Sequence, residues 1–108
     1  MSTYDLYGTS AVTMDELRTL LEALLGQPFT EHDSDYLGGA YFQSGERFAE
    51  SFRIVSNHGA VDPEDLPEPD FLDLHVLLEV NDSPRGAALR RDLPAAVPGI
   101  RLLRTTDA

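Results

Sequence analysis

At 108 residues, with 42% hydrophobic and 25% charged side chains, the chain suits one globular domain spanning 1–108 and is too rich in aliphatics for a disordered acidic tail. Cysteine is absent, which excludes disulfides and thiolate metal sites. A formal net charge of −11 argues against nucleic acid and anionic membrane as partners and for a basic protein surface. Between Pro28 and Asp82, thirteen acidic residues stand against two bases, Arg47 and Arg53, so this segment alone carries −11 and the two ends cancel.

The opening Met-Ser-Thr-Tyr-Asp-Leu-Tyr has neither the basic nor the apolar region of a signal peptide, and no apolar run approaches membrane-spanning length, so a cytoplasmic protein is expected. Tyr4 to Tyr7 alternates as a short strand. Thr13 followed by Glu16 forms a capping box, and Met14, Leu17, Leu20, Leu21, Leu24 and Leu25 recur at helical spacing until Gly26 and Pro28 end the helix. Thr30 to Asp35 reads as a further strand, and Tyr41-Phe42-Gln43 pairs through a Ser44-Gly45-Glu46-Arg47 turn with the strand beginning at Phe48.

From Phe48 to Asn57 and again from Phe71 to Val80 the hydrophobic period is two, which predicts a sheet with one apolar face and one mixed, partly wet face. Ser83 and Pro84 announce a second helix that Pro94 limits, with Arg90 and Arg91 placed toward its end, where the dipole favours cations. Ile100 to Arg104 closes the chain as a strand. The resulting order, β-α-β-β-β-β-α-β, predicts a two-layer α+β sandwich: a mainly antiparallel sheet, two helices on one face, and a ferredoxin-like arrangement enlarged by extra strand.

Two surfaces stand out as partner-binding candidates. The loop Ala60 to Asp70 displays Asp62, Glu64, Asp65, Glu68 and Asp70 on a segment stiffened by three prolines, and such restriction lowers the ordering cost of binding. On the wet sheet face, the register expected from alternation places Tyr7, Tyr41, Arg53, Val55, His75 and Leu77, a composition closer to an interface than to a lysine-glutamate surface, with Tyr41 and Leu77 as apolar anchors. Either surface has a bland explanation, since acidic proline-rich loops also serve solubility and exposed apolar residues also occur singly.

Chemistry finds little support. Glu31-His32-Asp33-Ser34-Asp35 groups an imidazole with carboxylates, but His32, His58 and His75 match no metal-ligand spacing, and neighbours on a strand point to opposite faces. No serine sits in a nucleophile elbow, and neither Gly8-Thr9-Ser10 nor Gly38-Gly39 has the spacing and lysine of a phosphate loop. The expectation is a protein with no catalytic residues, no metal and no cofactor.

Leu25-Gly26, Phe29, Glu31, His32, Ser34, Tyr36, Gly38-Gly39, Tyr41-Phe42 and the late Leu102-Leu103-Arg104 together resemble small acidic immunity proteins encoded beside polymorphic or contact-dependent growth-inhibition toxins of actinobacteria. The resemblance implies a non-catalytic inhibitor that binds a cognate toxin domain and blocks its active site or substrate groove. It carries over no contact residue, because such families diverge most at that surface. The expected partner is a basic toxin domain and the expected free state a monomer. The competing reading is a small ferredoxin-like ligand-binding or enzymatic dimer with His32, Asp33 and Asp35 near a pocket.

Overall fold

The computed structural model describes residues 3–34, 39–45, 49–57, 68–71 and 73–107. Six strands, β1 (Thr3–Thr9), β2 (Thr30–Ser34), β3 (Gly39–Gly45), β4 (Ser51–Ser56), β5 (Val76–Asn81) and β6 (Arg101–Asp107), form one antiparallel sheet in the order β2-β3-β4-β5-β1-β6. Helix α1 (Met14–Leu25) follows β1, and α2 (Gly86–Ala96) joins β5 to β6. The β6-β1-β5-β4 core with two helical crossovers is the ferredoxin-like arrangement, and the β2–β3 hairpin extends it on one side. The α+β sandwich and the element order expected from periodicity are those observed.

Helix α1 begins as its sequence dictates. The Glu16 amide donates to Thr13 Oγ1 at 3.1 Å, and the Thr13 amide donates to Glu16 Oε1 at 2.9 Å, which satisfies two donors at the helix start. Leu17, Leu21 and Leu25 are buried on one face, and Gly26, in the left-handed region at φ 72°, donates to the Glu22 carbonyl to close the last turn. The side chain of Glu22 then accepts from the Phe29 amide at 2.7 Å, which turns the chain into β2.

Helix α2 departs from expectation at both ends. It starts at Gly86, because Ser83 uses its hydroxyl to accept from the Arg85 amide in a local turn and leaves the helix without a side-chain cap. It also runs through Pro94 to Ala96. A proline in the last turn forfeits only its own amide bond, and buried Leu93 and Val97 hold the turn, with the Val97 amide donating to the Leu93 carbonyl at 2.9 Å. Arg90 is therefore not at the helix end. Its guanidinium grips Asp5 on β1 with two parallel bonds of 2.9 and 2.8 Å, and Thr105 on β6 donates to the same carboxylate at 2.6 Å.

The strand expected from Phe71 to Val80 begins only at Val76, and one side chain is the reason. Asn57, completely buried at the end of β4, donates to the carbonyls of Glu68, Phe71 and Leu74 at 3.1, 3.0 and 2.9 Å and accepts from the Glu68 amide at 2.9 Å. Those carbonyls are thereby drawn into a 3-10 turn over Pro69–Phe71 rather than into a sheet ladder.

The larger core lies between the sheet and the helices, where Tyr7, Phe42, Phe52, Ile54, Val76, Leu78 and Val80 meet Leu17, Leu21, Leu89 and Leu93. A smaller one, Leu6, Val55 and Leu77, lies on the far face with Tyr4, Tyr41 and Leu103 packed around it. Two expectations about that face need correction. Tyr7 pairs with Leu78 and so faces the helices, since a shift of one residue exchanges a strand's faces. Val55 and Leu77 do occupy the far face, but they are 0% and 1% exposed, so its centre is packed and dry.

Replacing Asn57 with alanine leaves buried backbone groups without partners and should cost about 3 kcal/mol, measurable by urea denaturation, with faster hydrogen exchange at the Glu68 amide. Acid should act through two carboxylates. Hydrogen bonds from Arg90 hold Asp5 below its ordinary 3.8, and hydrogen bonds from Arg85 hold Glu50 below its ordinary 4.5. Each contributes stability that is complete above the ordinary value and is lost as pH falls through the lowered one. Asp5→Asn should therefore lower stability at neutral pH and flatten its decline below about pH 4 in denaturation series.

Candidate functional site

On the far face, cross-strand pairing aligns Thr30, Gln43, Arg53, Glu79, Leu6 and Arg104 in one row from β2 to β6. The pairing shifts between Leu6 and Tyr7, so Arg104 pairs with Leu6 and Leu102 with Tyr7 while Leu103 bulges out of the ladder onto the small core. Gly8 makes room for this: a Cβ there would come within 2.9 Å of Leu74 and 3.0 Å of Leu103.

The polar groups of this face are tied to one another. Arg53 donates to Glu79 at 2.8 Å and lies 6.0 Å from the centre of the Tyr41 ring, which in turn stacks on His32 at 5.4 Å. Arg104 forms a two-pronged pair with Glu68, 3.0 Å on each side. Tyr4 lies among them, and burial, together with the negative charges of Glu79 and Glu68, pushes its phenol up to about 12. It is a neutral hydroxyl at any physiological pH.

The arginines elsewhere behave alike. Arg18 meets Asp15, Arg85 meets Glu50, Arg90 meets Asp5, Arg91 meets Asp92 and Arg101 meets Asp73, so each of the seven arginines among the described residues lies within 3.6 Å of a carboxylate. Glu16, Glu22 and Asp82 accept backbone amides. Among the described residues, Glu31, Asp33 and Asp70 are the exposed carboxylates with neither an ion pair nor a hydrogen bond. Among the described residues, β2 and the Pro69–Phe71 turn therefore carry exposed carboxylates that no arginine pairs and no amide holds.

Of the residues singled out from sequence, Asp62, Glu64 and Asp65 lie outside the described residues, as do His58 and Asp35. Glu68 is committed to Arg104 and Asn57, whereas Asp70 is exposed beside it. Tyr41 is half-buried with its ring between His32 and Arg53. Leu77 is core and cannot be a surface anchor. Glu31 and Asp33 were visible in sequence only as neighbours of a histidine; their alternation in a strand, with no base nearby, was the available signal.

Two surface depressions are lined by polar side chains that are already engaged. One of about 460 Å³ is lined by both Ser10 and His75, but the Ser10 hydroxyl donates to the Asp73 carbonyl and accepts from the His75 amide, so it is a structural tie between β1 and the approach to β5. Another, of about 310 Å³, is lined by Gln43, Ser51, Arg53, Asn81 and Asp82, with Arg53 already bonded to Glu79. Among the described residues no three histidines or carboxylates converge as metal ligands. Leu77→Ala should reduce stability by about 3 kcal/mol through the cavity it opens, whereas Tyr41→Ala should cost about 1 kcal/mol or less; thermal denaturation of the two variants separates core from surface.

No protein-family model matches the chain, and no curated protein matches it either.

Proposed function

We propose that this protein is a non-catalytic immunity protein that neutralises a cognate toxin by binding a basic surface on it. The observation that carries the reading is the distribution of charge after folding. With its described arginines held by internal carboxylates, the molecule presents acidic groups outward, and a body of net charge −11 attracts a basic groove while repelling copies of itself. The sequence resemblance to immunity proteins of toxin systems supplies the biological class, and a toxin groove that handles nucleic acid supplies the complementary sign.

The remaining far-face features suit the same role. Tyr41, held between His32 and Arg53, is an aromatic group of restricted motion at the rim of a packed face, and such residues contribute disproportionately to interfaces. The loop residues Asp62, Glu64 and Asp65 add to the field that steers association, with Asp70 at the loop's far end.

The test is protection. If a neighbouring gene encodes a toxin domain, as the reading expects, co-expression with that domain should restore growth, and the purified pair should associate roughly tenfold or more slowly at high than at low salt. Growth inhibition that persists despite co-expression of folded protein would overturn the reading. So would association independent of salt.

A further inference from the structure

We propose that the open edge of β2 receives a basic strand from the partner, extending the sheet by one strand. The inference rests on the inhibitor reading above and names how the contact is made. Strand β2 is terminal in the sheet, and no described segment pairs with its outer side. Its pairing with β3 is unbroken from Thr30 through Ser34, so the backbone groups on the outer side continue a regular antiparallel ladder. Thr30, Glu31, His32 and Asp33 are all exposed. An edge of this kind is a template for another strand.

The opposite edge is a poorer template. Strand β6 carries the bulge at Leu103, and three of its side chains are already engaged, Arg101 with Asp73, Arg104 with Glu68 and Thr105 with Asp5. A bulge twists an edge away from regular pairing and is one way natural sheets close it.

Charge selects the occupant of β2. Glu31 and Asp33 are two residues apart and therefore project on the same side, and neither forms an ion pair with a described cation; Arg18, over the ring of Glu31's cross-strand neighbour Phe42, is paired with Asp15. A second copy of β2 docking there would set carboxylates against carboxylates, which disfavours self-pairing. A strand with arginine or lysine at alternate positions would place a cation opposite each acid. On the other side of the same strand, His32 stacked on Tyr41 offers an aromatic ledge for the intervening residues, apolar or guanidinium.

The probe is a short peptide alternating arginine and valine, compared with its glutamate-valine counterpart and with a form N-methylated on alternate residues. Titrated into isotope-labelled full-length protein, the arginine peptide should shift the amides of Thr30 to Ser34 and give intermolecular contacts to them. Both control peptides should bind at least roughly tenfold more weakly, as should the arginine peptide to Glu31→Gln/Asp33→Asn, a variant whose fold is checked by circular dichroism and whose two side chains hold nothing in place. Shifts confined to another surface, equal binding of the N-methylated peptide, or a dimer of the free protein paired through β2 would overturn the proposal. Protection against the toxin that is unchanged in affinity and effect by Glu31→Gln/Asp33→Asn removes the edge and leaves the inhibitor reading standing. Failure of protection alongside specific strand docking does the reverse.

Discussion

Strand β5, hydrogen-bonded to β1 on one side and β4 on the other, sets the register on which everything else depends. Pairing Tyr7 with Leu78 and Leu78 with Ile54 lines up one apolar layer for the helices to cover. The same register puts Leu6, Val55 and Leu77 together on the reverse side and brings Arg53 opposite Glu79. Slipping any one of these strands by a residue would exchange its core and solvent faces, so the hydrophobic term holds the alignment with about 1.5–3 kcal/mol at each of the buried leucines and valines.

Onto that frame the polar groups add direction. Two buried or nearly buried residues act as clamps: Asn57 gathers the backbone between Glu68 and Leu74, and Asp5 joins β1 to α2 and β6 through Arg90 and Thr105. These differ in kind from the exposed pairs such as Arg91 with Asp92, which are worth about 0–1 kcal/mol. A clamp whose partners are desolvated cannot lose one side cheaply. Arg85 is a third tie, reaching Glu50 and the Leu25 carbonyl at once, so that the end of α1, the start of β4 and the start of α2 are fixed to a single guanidinium.

Internal pairing has an external consequence that the proposed function uses. A chain with eight basic and nineteen acidic residues could have scattered its arginines over the surface and blurred its field. Instead the described arginines are consumed by neighbouring carboxylates, and the exposed carboxylates left with neither an ion pair nor a hydrogen bond among the described residues lie at one sheet edge and one turn. On the proposed reading, affinity would come from a few anchors and strand pairing, and the acidic field would govern how fast and with whom the protein associates.

The sequence by itself determined the elements and their order. The Thr13–Glu16 box, the leucine spacing of α1 and the period-two runs of β4 and β5 are local signals that depend on the few residues on either side. From these the α+β sandwich and the placing of both helices on one face followed. Only the tertiary structure decided which face Tyr7 takes, that Leu77 and Val55 are buried, and that Glu68 is spent on Arg104 while Glu31 and Asp33 stay unpaired. Each of those outcomes is set by a residue distant in the chain: Leu78 opposite Tyr7, Leu6 packed with Val55 and Leu77, and Arg104 reaching Glu68 across 36 positions of sequence. Periodicity tells which side chains of a strand share a face, but what covers that face and which charge meets which are properties of strand order and register, and those are fixed only when the sheet closes.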